Sequence, residues 1–360
     1  SGPGIGKSDG VVQYCEMLAA ETGLPVGLIV FMAASIEAVD ARGFMLPVKV
    51  QGTNVPDTVF SVPPWYPTTA NVRVVMPDGR WFAEGEWTDV APQIGVLFLD
   101  EFSQAEEDVQ KAVSELIYKG AVGTTRLPYG WRVVSAGNRT SDKSGVVRQL
   151  KHIVNRRAKL SIEPNMGDWQ TWAQRLDAAE RPHHMTLSFA RKNPHVVFKD
   201  GVPVEDEQYC TPRSLVRMDR DLMALRTDED IAHNKVPNDD VAREVCVGFI
   251  GAGAAGQYFA HLKFGDEIPE ITDIERDPMK AKLPSGKDGQ MVAAFMVASA
   301  VTKGNSAKVM VYIGRMYVDM QTLCVSTILA QAGKAADVVQ TKPFQDWLIR
   351  NKDILIASRS

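Results

Sequence analysis

Lys7 and Ser8 follow two glycines, Gly4 and Gly6, in the opening stretch SGPGIGKSDG. Such a loop can fold its backbone N–H groups around phosphate oxygens. The lysine would reach the outer phosphates, the serine hydroxyl would ligate Mg2+, and the helix that follows would turn its positive N-terminus to the anion. The stretch fits the pattern G-x-x-x-x-G-K-[ST] except at its first position, where Ser1 replaces glycine. The candidate nucleotide-binding residues are Gly2, Pro3, Gly4, Ile5, Gly6, Lys7, Ser8 and Asp9.

About ninety residues further on, the apolar run GVLFLDE ends in Asp100 and Glu101. Two carboxylates at the end of a buried strand are costly unless they serve a cation or a reaction. Asp100, with Ser8, would hold the metal, and Glu101 would orient or deprotonate an attacking water. A second apolar run, WRVVSAGN, ends in Asn138, whose amide could touch both a γ-phosphate and that water. Alone, an asparagine after Ala-Gly is a turn residue. Arg156 and Arg157 in IVNRRAKLSIEP, and Arg148 in VVRQL, are candidates for a cation donated to a neighbouring subunit's phosphate, with Arg156 preferred. Arg213, after Pro212 in CTPRSLVRM, opens a helix and could contact the nucleotide.

These residues need a scaffold. SDGVVQYCEMLAAETG has helical spacing, PVGLIVFMAA and GVLFLDEF are short continuous apolar strands, and SQAEEDVQKAVSELIYKG is a helix that Gly120 stops. Strands alternating with helices imply a parallel sheet covered on both faces. Between Arg42 and Gly95 the alternating stretches PVKVQGTNVPDTVFSV and VRVVMPDGRWFAEGEW predict inserted β-hairpins, the second turning at Pro77-Asp78-Gly79. AKLSIEP is expected to be a further strand. Beyond about Asp168 the pattern is helical.

Composition narrows the function classes. The chain has 360 residues, 40 basic against 44 acidic, a net charge of −4 and no basic block, which gives no electrostatic case for a dedicated nucleic-acid binder. The four cysteines have no metal-like spacing and are expected to be reduced core thiols. No two histidines are spaced H-x-x-x-H, and the adjacent His183 and His184 are expected to point in different directions. No signal peptide or membrane-length apolar run is evident, so the expectation is a cytoplasmic protein without a membrane partner.

The five elements, in this order, resemble the AAA+ ATPases, and within them the MoxR-like branch, including its compact bacterial and phage forms. GPGIGKSD is similar to the Walker A segment, LFLDEFSQAEEDVQKAVSELI to Walker B, LPYGWRVVSAGNR to the pre-sensor and sensor 1 region, and TPRSL to sensor 2. NRRAKLSIEP looks like the arginine-finger segment, although that segment usually reads N-R-F or D-R-F, so the finger stays open between Arg156, Arg157 and Arg148. VDARGFMLP with FSVPPWYP resembles the helix-2 insert of that clade.

The resemblance implies an α/β fold: a P-loop AAA+ core with a parallel sheet and inserted β-hairpins over 1–165, an all-helical lid over 166–280 and a helical C-terminal extension over 281–360. It implies ATP and Mg2+ as cofactors, a homo-hexameric ring that remodels or assembles a protein client, and a von Willebrand A-type partner. The alternative is a nucleic-acid motor or loader on the same core, of phage or restriction type. A loop of this kind normally follows a central strand, so further chain is expected before Ser1.

Overall fold

A computed structural model describes residues 4–49, 56–123, 125–138, 158–199, 207–331 and 333–357. The chain divides into two compact units, Ser1–Glu163 and Pro164–Ser360.

The first unit is α/β. Its sheet runs in the spatial order β5 (Trp81–Phe82), β4 (Arg73–Val75), β1 (Val26–Met32), β6 (Ile94–Asp100), β9 (Gly130–Ser135). β1, β6 and β9 are mutually parallel, with Met32 level with Asp100 and Leu99 level with Ser135, while β4 and β5 are antiparallel. Strand periodicity splits the apolar residues between two faces. Val26, Leu28, Val96 and Phe98 pack with Cys15 and Ala19 of helix α1 (Lys7–Thr22). Ile29, Phe31, Leu97 and Leu99 pack with Val109, Val113 and Leu116 of α3 (Glu107–Lys119). The short α2 (Ala38–Arg42) leads into a separate hairpin, β2 (Met45–Lys49) with β3 (Pro56–Phe60), and β7 (Ala121–Val122) pairs with β8 (Thr125–Arg126). At Met76–Gly79 the turn between β4 and β5 closes with Gly79 at φ 85°.

Residues 158–164, expected as a strand, enter no ladder with the described residues. Leu160 is 85% exposed. Its alternating apolar residues favour an extended chain, but a ladder needs a partner edge that local pattern does not supply.

The second unit is helical: α4 (Met166–Arg175), α5 (His184–Lys192), α6 (Pro194–Val197), α7 (Pro212–Ala224), α8 (Asp228–Ala232), α9 (Asp240–Leu262), α10 (Ile271–Arg276), α11 (Lys287–Ala300), α12 (Ser306–Ile313), α13 (Val318–Ala330), α14 (Lys334–Val339) and α15 (Lys342–Ala357). One hydrophobic cluster extends from Trp169 to Trp347, with the fully buried face of α11 in it. The stretch Asp240–Arg276 is long and apolar enough to cross a membrane by composition alone, with a mean hydropathy of 1.2 in an 18-residue window. Gly251, at φ 77°, interrupts the helix, and Cys246, Ile250, Ala255 and Tyr258 are buried in the core. All four cysteines are buried and unbridged.

His183 and His184 do not diverge: their rings lie 4.0 Å apart at 41°. The reason is that His183 is the extended N-cap of α5 (ψ 149°), so the chain turns between the two residues instead of continuing one helical screw.

A buried polar network joins α5, α7 and α9. The Thr186 hydroxyl donates to Asp219 Oδ1 at 2.5 Å and lies 2.8 Å from the Tyr258 hydroxyl. The His183 N–H donates to both Asp219 oxygens. Burial pushes the Asp219 carboxyl up to about 6, because these hydrogen bonds do not fully replace water. The native state therefore holds this proton more tightly than the unfolded chain, and the resulting stabilisation is complete below about pH 4 and lost as pH rises through 6. Burial moves His183 and His261 the other way, down to about 4, so their contribution is lost as pH falls from 6.5 toward 4. The two effects offset each other in the same window. Asp219→Asn removes the first and leaves the second, so the variant should lose stability on acidification from pH 7 to 4 more steeply than the parent. The expected difference is roughly 3 kcal/mol at most, read from urea midpoints at a series of pH values.

Candidate active site

Among the described residues, four of the polar side chains singled out in the sequence meet at the C-terminal edge of the parallel strands. α1 begins directly after Gly6, whose φ of 83° is the left-handed region that a side chain rarely adopts; Gly4 has φ 72°. This double left turn delivers Lys7 and Ser8 into the first turn of α1. Lys7 Nζ donates to Asn138 Oδ1 at 2.5 Å, and Ser8 Oγ donates to Asp100 Oδ2 at 2.8 Å. Residues 131 and 92 positions apart in sequence thus meet because β6 and β9 are parallel neighbours whose ends are level.

Asp100 is fixed from its other side by the Glu101 N–H, which donates to Oδ1 at 2.9 Å. Glu101 itself has φ 52°, an uncommon conformation for a residue with a side chain. It ends the strand by turning the chain into the 3-10 turn Phe102–Gln104. The Glu101 side chain is exposed and makes no hydrogen bond or ion pair among the described residues. A carboxylate in that position is available to a water molecule.

Asn138 is held by a residue that the sequence motifs do not flag. The buried Ser103 hydroxyl accepts from the Asn138 N–H at 2.9 Å. The approach requires Gly137, since a Cβ there would lie 2.5 Å from Ser103 Oγ. The Phe102 N–H also donates to Ala136 O, and Ala136 N–H to Leu99 O, tying the two strand ends together. Only the register of β6 against β9 brings Ser103 and Gly137 together, so no local signal in the sequence marks the pair.

The donor set fits a hydrated divalent cation and a phosphate chain. Ser8 and Asp100 offer hard oxygen ligands side by side, suited to Mg2+ that keeps several waters. Lys7 and the first N–H groups of α1, which is 16 residues long, offer positive charge beside them. Among the remaining sequence candidates, Ile5 is half-buried beside the loop and Asp9 is exposed in the first turn of α1. Ser1, Gly2, Pro3, Arg148, Arg156 and Arg157 lie outside the described residues. Arg213 is exposed in the first turn of α7, in the second unit.

No protein-family model matches the chain, and no curated protein matches it. Among solved structures it is similar to NtrX from Brucella abortus at 12% identity, over 91% of this chain and 63% of that one, with a TM-score of 0.30. The chain thus spans just under two thirds of NtrX.

Proposed function

We propose that the chain is a Mg2+-dependent ATP hydrolase of the AAA+ type, working as a homo-oligomeric ring, a hexamer by resemblance to the MoxR-like branch. The observation that carries the reading is the pair of contacts Lys7–Asn138 and Ser8–Asp100, which gather a phosphate-binding loop, a metal-ligating carboxylate and a polar strand end at one sheet edge. In this reading Lys7 and the loop hold the phosphates, Ser8 and Asp100 hold Mg2+, Glu101 activates water, and Asn138 reports the γ-phosphate. Glu101 favours turnover over simple binding, because binding alone does not need a second, uncommitted carboxylate.

Ring formation enters through the arginine finger, assigned to Arg156 ahead of Arg157 and Arg148, and through Arg213 as a nucleotide contact from the helical part. The β2–β3 hairpin supports a protein client: Met45, Leu46, Val59 and Phe60 are all exposed on a ribbon paired outside the main sheet. A von Willebrand A-type partner and a cytoplasmic setting belong to the same reading. A nucleic-acid motor on this core is the second reading, disfavoured by the net charge of −4.

Arg156→Ala should leave ATP binding within about threefold and lower turnover by roughly 10³-fold or more. Nucleotide titration beside phosphate release measures both, and normal turnover in this variant would rule out the inter-subunit site. ATPase stimulation by DNA that weakens steeply with salt would instead favour the motor.

A further inference from the structure

The helical unit contains a cavity of about 590 Å3 between the start of α5, the segment after α8, the end of α9, the segment before α10 and the end of α11. This size is within the usual range for small-molecule sites, about 300–1,000 Å3. Met185, Leu262, Ile268, Ile271 and Met296 form its apolar wall, and polar and charged side chains supply the rest of its lining. The two methionines can shape themselves to an occupant.

His184 lines the same cavity and is 4% exposed. Each neighbouring histidine has a ring nitrogen engaged, although His261 Nδ1 is buried without a partner. His183 Nδ1 accepts from the Met185 N–H, and its Nε2 lies 3.2 Å from both the Asn234 carbonyl oxygen and Oδ1. His261 Nε2 meets Ser188 Oγ at 2.8 Å. His184, by contrast, makes no side-chain hydrogen bond among the described residues, and neither of its nitrogens belongs to the sealed, unpartnered atoms of the core. A buried imidazole without a partner is unfavourable. The cavity is where that partner fits.

The charges around the cavity define the occupant. Lys235 and Lys263 are matched in number by Asp230 and Asp266, and His233 and Glu270 pair with each other at 2.8 Å. With His233 neutral the lining carries one carboxylate in excess, Glu270, and that residue is exposed and engaged by His233, so nothing here draws in an anion. Burial and the nearby His183 and His261 also hold His184 well below its ordinary pKa, so the buried end is neutral. Placing a charged group against a neutral imidazole and a methionine wall would be costly, whereas a neutral group that can hydrogen-bond would not be.

We propose that this cavity binds a small uncharged organic molecule, an apolar ring or chain carrying one N–H, O–H or carbonyl group, with His184 as its polar anchor. The site lies wholly within the helical unit and is independent of the ATPase reading.

The test uses the full chain and two uncharged probes, indole and p-cresol, with benzoate and benzylamine as charged comparators of similar size. Binding is followed by calorimetry and by the ring-nitrogen resonances of His184. Indole and p-cresol should saturate and shift those resonances, and the charged comparators should bind at least about tenfold more weakly. His184→Phe should weaken indole by about three- to tenfold, the worth of one neutral hydrogen bond. Met296→Trp, which fills the cavity, should abolish binding. Ala300→Leu, a smaller intrusion into the same space, serves if thermal unfolding shows that the tryptophan variant does not fold. Absence of saturation, unchanged affinity in the filled variant, or tighter binding of benzoate or benzylamine would each overturn the proposal.

Discussion

On the proposed ATPase reading, Glu101→Gln should bind ATP and Mg2+ as the parent chain does, yet release phosphate roughly 10²- to 10⁴-fold more slowly, the usual worth of a general base. The two adjacent carboxylates separate cleanly in the structure. Asp100 is engaged through both oxygens, by Ser8 Oγ and the Glu101 N–H, which holds its carboxylate in place. Glu101 is exposed, and its left-handed backbone takes it out of strand alternation. Exchange to glutamine keeps size and hydrogen bonding but removes the basic oxygen. Asp100→Asn should behave differently, weakening Mg2+-dependent nucleotide binding as well as turnover, because it removes the proposed metal ligand. Equilibrium binding with and without Mg2+, beside phosphate release, distinguishes the two. Turnover by Glu101→Gln at the parent rate would remove Glu101 from the mechanism.

The parts of this site that the sequence displays are those encoded locally. Continuous apolar runs mark β1 and β6, since a strand buried on both faces has no polar alternation to hide it. The glycines before Lys7 mark the loop, and the carboxylates after Leu99 mark the strand end. Ser103 and Gly137 escaped because their meaning is a contact across two parallel strands. Helix α5 buries His184, Thr186 and Ser188 as well as Met185, Leu187 and Phe189, so HMTLSFARK places polar residues at core positions that its sequence does not mark. The same inversion concealed the His184 cavity, because a histidine reads as surface until the helices around it are placed. The strand expected over AKLSIEP shows the opposite error, in which local preference was present and the partner edge was not.

The largest stability effect should come from Trp131, at the end of the sheet away from Asp100. Its indole lies across Gly27 of β1 and Gly95 of β6 and donates through Nε1 to Pro92 O at 2.9 Å. A Cβ on Gly27 would come within 2.7 Å of that ring and 3.0 Å of Val72 Cγ2, so glycine at this position leaves room for the tryptophan rather than supplying a turn. Trp131→Ala should cost about 3–5 kcal/mol, from lost contacts and the cavity left behind. Gly27→Ala should cost about 1–3 kcal/mol by overpacking the same space. Made together, they should not add. With the indole gone, the new methyl group meets only Val72 Cγ2, and alanine is better than glycine in a strand, so Gly27→Ala should cost close to nothing in the Trp131→Ala background. Urea unfolding, with hydrogen-exchange protection of the β1 and β6 amides as the local readout, gives all four corners of the cycle. Strict additivity would mean that the indole does not control the spacing of β1 and β6, and that strand register alone sets the edge where Lys7, Ser8, Asp100 and Asn138 meet.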